Sequence, residues 1–125
     1  MERMCIEQKL TENLADGNAI CCHLVPMGQD LTLCVSGGDR PHIGSVVMSV
    51  ARPSLTGQGV GVTSFVLNGI GHKDEYVARK FAEALAKKYH CTAVCTCGIH
   101  IDGITEMQLK DVSECCDRLL EQLTD

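Results

Sequence analysis

The chain has 125 residues, of which 45% are hydrophobic and 22% are charged, an ordinary composition for one globular domain over residues 1–125. Its formal net charge of -5, scattered Lys and Arg residues and 3% of aromatic residues exclude a basic, base-stacking surface for nucleic acid. No apolar run approaches the about 20 residues of a membrane span, and the first residues lack the apolar core of a signal peptide, so we expect a cytoplasmic protein that does not enter a membrane.

The first half of the chain alternates short apolar runs with turn signals. The runs cover residues 4–10, 19–26, 31–35, 43–51 and 62–67, and segments rich in Gly, Asn and Asp separate the first four. This pattern predicts five strands, of which the first four form a β-meander and the last two an antiparallel hairpin. Residue types alternate within the fourth run, so one face of that strand should be clearly more buried than the other.

The second half changes from strand periodicity to helical periodicity. Residues 74–89 place Val77, Phe81 and Leu85 on one stripe, which predicts an amphipathic helix. Residues 91–99 carry no charge and are rich in Thr, Val and Cys, which predicts a strand covered on both faces. The fold class is therefore α/β (α+β): a mostly antiparallel sheet of about six strands with two helices, in the order five strands, helix, strand, helix.

The last helix begins with a capping box, Thr105-Glu106-Met107-Gln108, and Ile104 and Leu109 are placed as its hydrophobic staple. Two packing modes remain open for the apolar stripe of this helix, which can pack on the sheet of its own chain or form the helix-to-helix seam of a dimer. The stripe consists of Leu109, Val112, Cys116, Leu119, Leu120 and Leu123.

The chain has nine cysteines, but no two of them have the CxxC spacing. This spacing argues against a zinc ribbon and against a thioredoxin-like redox pair. Cys95 and Cys97 share one face of the strand predicted at residues 91–99. We expect the thiols to be packed and inert in a reducing compartment, because free cysteine is among the most buried residue types.

Three glycine-flanked histidines, His42, His72 and His100, fall at the ends of apolar runs. The predicted hairpin brings His72 beside His42, since the end of its second strand lies next to the start of its first. The helix at 74–89 then spans the sheet, so the strand at 91–99 runs in the same direction as the strand at 62–67 and carries His100 and Asp102 to the same edge. Arg40 joins this edge because it precedes a proline and is held extended.

Three kinds of chemistry are open to such a cluster. Arg40 can bind the phosphate of a ligand, with the histidines as further donors. His100 and Asp102 can bind a metal ion together with His42 or His72. His100, oriented by Asp102, can act as a general base.

Three segments carry a resemblance to a known family. Ala51-Arg52-Pro53-Ser54-Leu55, Gly71-His72-Lys73-Asp74-Glu75 and especially Gly98-Ile99-His100-Ile101-Asp102-Gly103 resemble the small prenylated-flavin (prenyl-FMN) chaperones, the LpdD-like accessory proteins of UbiD-type phenolic-acid and gallate decarboxylases. The match runs from about Ile20 to the C-terminal helix.

The resemblance implies a non-catalytic accessory protein that binds prenylated FMN and protects it or delivers it to a UbiD-type aromatic acid decarboxylase. It implies the decarboxylase and a flavin prenyltransferase as partners, and a fold similar to proteasome-assembly chaperones, which favours a homodimer. Met48, Ile70 and Ile99 are the expected apolar contacts of the flavin. A metal-assisted or His/Asp acid-base enzyme and a pure protein-assembly chaperone remain the competing interpretations. The converging turns, rather than the resemblance, give the expected cofactor-binding residues, which are Arg40, His42, Gly71, His72, Lys73, His100 and Asp102.

Overall fold

The computed structural model describes residues 6–70 and 73–124, which form a six-stranded sheet with two helices packed on one of its faces. The predicted order of elements is confirmed, and the sheet is mostly antiparallel, since one pairing among the five is parallel. The elements are β1 (Gln8–Asn13), β2 (Ala19–Met27), β3 (Asp30–Gly38), β4 (Ser45–Pro53), β5 (Val60–Asn68), α1 (Glu75–Tyr89), β6 (Thr92–His100) and α2 (Glu106–Thr124).

The predicted four-stranded meander is wrong at its last strand. β1, β2 and β3 pair in sequence, but β3 then pairs in parallel with β6, and β6 pairs with β4, so that the strand order is β1-β2-β3-β6-β4-β5. A parallel partner needs a long crossover, which the chain supplies by returning through α1. β6 thereby enters the middle of the sheet. Its side chains that face the helices are buried, but those on the other face are only half-buried, so the prediction of a strand covered on both faces is wrong for the single chain.

The first predicted strand lies later in the chain than expected. Residues 4 and 5 are outside the described residues, and β1 begins at Gln8 and ends at Asn13. The turn after β1 sets the residue at which this strand ends. In that turn the amide of Leu14 donates to the carbonyl of Asn18 at 2.7 Å, and Gly17 has φ of 93°. The hairpin closes at this turn, with Asn13 opposite Ala19.

The predicted hairpin of β4 and β5 is confirmed, and so is the direction of β6. Both β5 and β6 pair antiparallel with β4, so they run in the same direction without being neighbours. The ends of β5 and β6 and the start of β4 therefore meet at one edge of the sheet. This edge is the one at which the histidines were expected to converge.

Both helices use the apolar faces that their periodicity predicts. Phe81 and Leu85 of α1 are completely buried against the sheet. At the start of α2, the amide of Gln108 donates to Thr105 Oγ1 at 3.1 Å and the amide of Thr105 donates to Gln108 Oε1 at 2.9 Å, which confirms the capping box. No helix among the described residues is long and apolar enough to cross a membrane.

The stripe of α2 packs inside its own chain. Val112, Cys116, Leu119 and Leu123 are buried in one core with β1, β2 and α1. Leu109 lies off this face and is 53% exposed, so its inclusion in the buried stripe is wrong. Because the stripe is already covered by its own sheet, the alternative of a helix-to-helix dimer seam is wrong as well.

The cysteines divide by the face of the sheet on which they lie. Cys95 and Cys97 of β6 are completely buried beneath the helices, as predicted, and burial raises the pKa of both thiols. Cys21 and Cys34 are exposed on the opposite face, which neither helix covers. The expectation that all thiols are packed is therefore wrong for these two.

Candidate functional site

The loop between β3 and β4 is fastened to the end of β6. The amides of Asp39 and Arg40 both donate to the carbonyl of His100, at 2.6 and 3.3 Å. A Cβ on Gly98 would lie 1.6 Å from the carbonyl oxygen of His42, so only glycine lets the loop approach β6 this closely. This backbone contact, rather than any side-chain contact, brings residues 40 and 42 to residue 100.

Arg40, His100 and Asp102 form a compact surface group, here named the Arg-His-Asp cluster. Arg40 Nη2 donates to Asp102 Oδ1 at 2.7 Å and lies 3.0 Å from His100 Nε2, and the same Nε2 is 2.8 Å from Asp102 Oδ1. The side chains of Arg40 and Asp102 are 69% and 66% exposed. The three residues were predicted to converge, and the structure brings them together.

The cluster favours the ionised form of its carboxylate. Hydrogen bonds from His100 and then from Arg40 lower the pKa of Asp102 below its ordinary value. Because His100 Nε2 already faces Asp102 and Arg40, a general base at this residue would have to use Nδ1. The arrangement is suited to fixing the direction of the Arg40 guanidinium.

His42 lies beside the cluster and is held from both sides. Its Nδ1 is 3.1 Å from the carbonyl of Arg40, its Nε2 is 3.3 Å from Asp74 Oδ2, and its ring centre is 6.3 Å from that of His100. Asp74 is buried and also accepts a hydrogen bond from the amide of Ile99 at 3.0 Å. His42 is therefore positioned, as predicted, at the same edge as His100.

Sequence reasoning missed the role of Asp74. Although Asp74 directly precedes α1, its carboxylate makes no side-chain cap hydrogen bond to that helix and instead connects His42 to the end of β6. The sequence signal that could have indicated this role is the position of Asp74, three residues after Gly71 in the Gly-His-Lys-Asp segment.

Asp39 is a second residue that sequence reasoning missed. Its Oδ2 accepts a hydrogen bond from the amide of Asp102 at 2.9 Å, and its Oδ1 accepts one from Asn18 Nδ2 at 3.1 Å. It thereby fixes the backbone that carries Asp102 and connects it to the turn between β1 and β2.

Two further predicted site residues, Gly71 and His72, lie outside the described residues. Lys73 is exposed directly before Asp74. Arg52 lies near the opposite end of β4 from the cluster, where its Nε donates to Thr63 Oγ1 at 2.9 Å.

Exposed apolar side chains adjoin the cluster. Ile43 follows His42 directly and is 74% exposed, and Ile70 is fully exposed just after β5. Ile99 is half-buried and packs against the core. Met48 lies further along β4, on the face of the sheet that neither helix covers, and is 37% exposed.

The described residues contain no group of three or more His, Cys, Asp and Glu side chains arranged to hold a metal ion. His42 and His100 are near each other, but each faces a carboxylate of its own, Asp74 and Asp102 respectively. This geometry separates the ligands that a metal site at these positions would need to bring together.

Comparisons with known proteins point to one family and one fold. Residues 15–125 match the family described as the prenylated flavin chaperone LpdD-like domain. The chain is 31% identical over 97 residues to Protein LpdD of Lactiplantibacillus plantarum, an alignment that spans 78% of this chain and 68% of that protein.

The fold is also similar to a chain in the crystal structure of a chaperone complex for yeast 20S proteasome assembly. The TM-score is 0.55 at 11% sequence identity, over 95% of this chain and 98% of the other. At this identity the likeness concerns the fold alone.

Proposed function

This chain belongs to the family of prenylated flavin chaperone LpdD-like domains, and we propose that it binds prenylated FMN and protects it or delivers it to a UbiD-type aromatic acid decarboxylase. In this proposal it is an accessory protein and catalyses no reaction. The family match over residues 15–125 supports a chaperone role, and the Arg-His-Asp cluster supplies groups that suit the phosphate of the flavin.

The exposed and oriented side chain of Arg40 is the main observation that supports the binding proposal. Its exposed guanidinium is held by Asp102 and His100 through Nη2. A guanidinium has five N–H donors in a planar fork, so the remaining donors suit a phosphate that approaches from solvent. A side chain already held in one orientation loses less conformational entropy on binding than a free one.

The neighbouring residues extend the proposed site. His42 and His100 present further polar groups at the same edge, and Ile43 and Ile70 offer exposed apolar surface to the ring system. We assign Gly71, His72 and Lys73 to the same site because they immediately precede Asp74, which contacts His42. The cofactor-binding set therefore remains the one that the sequence predicted.

We further propose that the chain forms one domain over residues 1–125, acts in the cytoplasm and assembles as a homodimer, with the flavin prenyltransferase as a second partner. A single hydrophobic core that extends from Leu14 to Leu123 supports the one-domain proposal. The buried stripe of α2 is excluded as the dimer surface, so the homodimer requires a different face of the molecule.

Co-expression with a flavin prenyltransferase tests the binding proposal. The protein purified under anaerobic conditions should contain prenylated FMN, identified by its absorption spectrum and by mass spectrometry after denaturation. Arg40→Ala should contain much less, while Arg118→Ala, which removes an arginine paired with Glu12 outside the site, should contain as much as the wild type. Equal loading of all three proteins would place the phosphate elsewhere, and no loading of the wild type would refute the proposal.

A further inference from the structure

Arg52 is the one arginine among the described residues that has no carboxylate partner. The other arginines of residues 6–70 and 73–124 each form an ion pair, in the pairs Arg40–Asp102, Arg79–Glu75 and Arg118–Glu12. Arg52 is half-buried, and no Asp or Glu side chain of the same ranges lies within ion-pair distance of it. A cation that is partly withdrawn from water and has no counter-ion favours the binding of an anion.

Neutral groups hold the Arg52 guanidinium in one orientation. Its Nε donates to Thr63 Oγ1 at 2.9 Å, its Nη1 donates to the carbonyl of Pro53 at 3.2 Å, and its Nη2 donates to the carbonyl of Val62 at 3.1 Å. A guanidinium has five N–H donors, so these bonds leave one N–H on each terminal nitrogen. Because the side chain is already oriented, it loses little conformational entropy when a ligand accepts from the remaining donors.

A glycine leaves the space that the guanidinium occupies. Gly61 lies opposite Arg52 in the pairing of β4 with β5, and a Cβ on Gly61 would lie 2.6 Å from Arg52 Nη1. Any other residue at this position would displace the guanidinium. The orientation of Arg52 therefore depends on the absence of a side chain at residue 61, and a substitution there can move the charged group without removing it.

A cleft, here named the Arg52 cleft, lies at the opposite end of β4 from the Arg-His-Asp cluster. Its volume of about 340 Å³ is at the small end of the range, about 300 to 1,000 Å³, that small-molecule sites occupy. One side of the cleft is the β4–β5 loop, which is closed by a hydrogen bond from the amide of Ser54 to the carbonyl of Gly59 at 3.1 Å. The lining residues are Ala51, Arg52, Pro53, Gly59, Val60 and His90.

His90 lines the cleft from the C-terminal end of α1. It is the only residue other than glycine with a positive φ among the described residues, at 52°. Gly or Asn usually occupies this left-handed position after a helix. The helix end itself needs only backbone hydrogen bonds, such as that from the amide of Cys91 to the carbonyl of Ala86 at 3.1 Å, which glycine at residue 90 would allow with less strain. The imidazole adds a polar group to the cleft at a strained position, as is common in binding sites.

Charge and lining identify the class of ligand. A carboxylate carries one negative charge, which matches the single uncompensated charge of Arg52, whereas a phosphate monoester carries about 1.5 to 2. Ala51, Pro53 and Val60 give the cleft an apolar wall, which suits an apolar body attached to the carboxylate. We infer that the Arg52 cleft is a second binding site, which takes a small carboxylic acid with an apolar body.

Aromatic acids have the chemistry that the Arg52 cleft suits. They are also the substrate class of the decarboxylase proposed above as a partner. The inference itself rests on the cleft, and neither the partner nor flavin binding enters it.

Benzoate is the probe for the Arg52 cleft, and the flavin-free protein is the sample. In a titration followed by two-dimensional ¹H–¹⁵N NMR, sodium benzoate should shift the amide signals of Gly59, Gly61 and His90 until they saturate. The Kd should be on the order of 1 mM, as expected for so small a ligand. Acetate, which lacks the apolar body, and benzamide, which lacks the charge, should both bind more weakly.

Substitution of the arginine tests its role in binding. Arg52→Gln should weaken benzoate binding by about 10-fold or more, the effect of losing a hydrogen bond to a charged group. Arg118→Gln is the matched control, because it makes the same change at an arginine that is paired with Glu12, and it should bind benzoate as the wild type does. The NMR spectrum also shows whether Arg52→Gln is folded. If it is not, Gly61→Ala replaces it, since the added Cβ displaces the guanidinium and keeps its charge.

Four results would overturn the inference. The first is a wild type whose signals do not shift with benzoate, and the second is a set of shifts confined to the Arg-His-Asp cluster. The third is a folded Arg52→Gln protein that binds benzoate with wild-type affinity. The fourth is tighter binding of benzyl phosphate than of benzoate at the same residues, since the cleft would then be a phosphate site. A protein that binds benzoate here but retains no flavin would refute the flavin proposal alone.

Discussion

Shortening Leu119 to alanine is the most direct test of how α2 packs. Leu119 is completely buried among the sheet and α1. Leu119→Ala removes buried methyl and methylene groups and leaves a cavity, which costs about 2 to 5 kcal/mol of unfolding free energy. Against a total stability of about 5 to 15 kcal/mol, this is a large loss.

Urea denaturation at one fixed protein concentration measures this loss. With a slope of about 2 kcal/mol per molar urea, the midpoint of Leu119→Ala should fall by roughly 1 to 2.5 M. Leu109→Ala is the matched control, since it makes the same change on the same helix at a side chain that is 53% exposed. Its unfolding free energy should change by less than about 1 kcal/mol.

The two variants separate the packing modes of α2. A loss for Leu119→Ala no greater than that for Leu109→Ala would refute the assignment of this stripe to the core. A fully stable Leu119→Ala protein that dissociates into monomers would instead support the dimer seam that the structure excludes.

Three further predictions concern the site and the thiols. Arg40→Ala should weaken binding of prenylated FMN by about 1.5 to 3 kcal/mol, the range for hydrogen bonds to charged groups, as measured by fluorescence titration; an unchanged affinity would remove Arg40 from the site. An NMR titration should give Asp102 a pKa below its ordinary value, and this pKa should rise in His100→Gln because His100 is the main partner that stabilises the carboxylate. The ionised carboxylate stabilises the fold at pH values above the pKa of Asp102 in the unfolded chain, and this contribution is lost as the pH falls through the lowered pKa of the folded protein. Native Cys95 should resist a maleimide that labels it quickly in guanidinium, since burial raises its pKa; rapid native labelling would contradict its buried position.

Local sequence signals were sufficient for the helices and for the direction of each strand. The capping box at Thr105 and the apolar stripe through Phe81 are defined by spacings of three and four residues. Residues at these spacings are neighbours on a helix, so both features can be recognised in the sequence. The convergence of Arg40, His42 and His100 followed from strand directions, which depend only on the hairpin and on the length of α1.

The partners of each strand and of each carboxylate could not be read from local spacing. β6 pairs between β3 and β4, which are adjacent in sequence, and no residue pattern near either strand records that insertion. Asp74 directly precedes α1, but its carboxylate accepts a hydrogen bond from the amide of Ile99, which lies on a strand distant in sequence. Both depend on tertiary contacts between segments that are far apart in the sequence.

Direct binding of purified prenylated FMN tests the central claim. The protein is mixed anaerobically with the flavin and passed over gel filtration, with a UbiD-type apo-decarboxylase treated in parallel as the positive control. The account predicts that the flavin elutes with the chain and afterwards activates the apo-decarboxylase. A chain that elutes without flavin, while the decarboxylase retains it, would contradict the account.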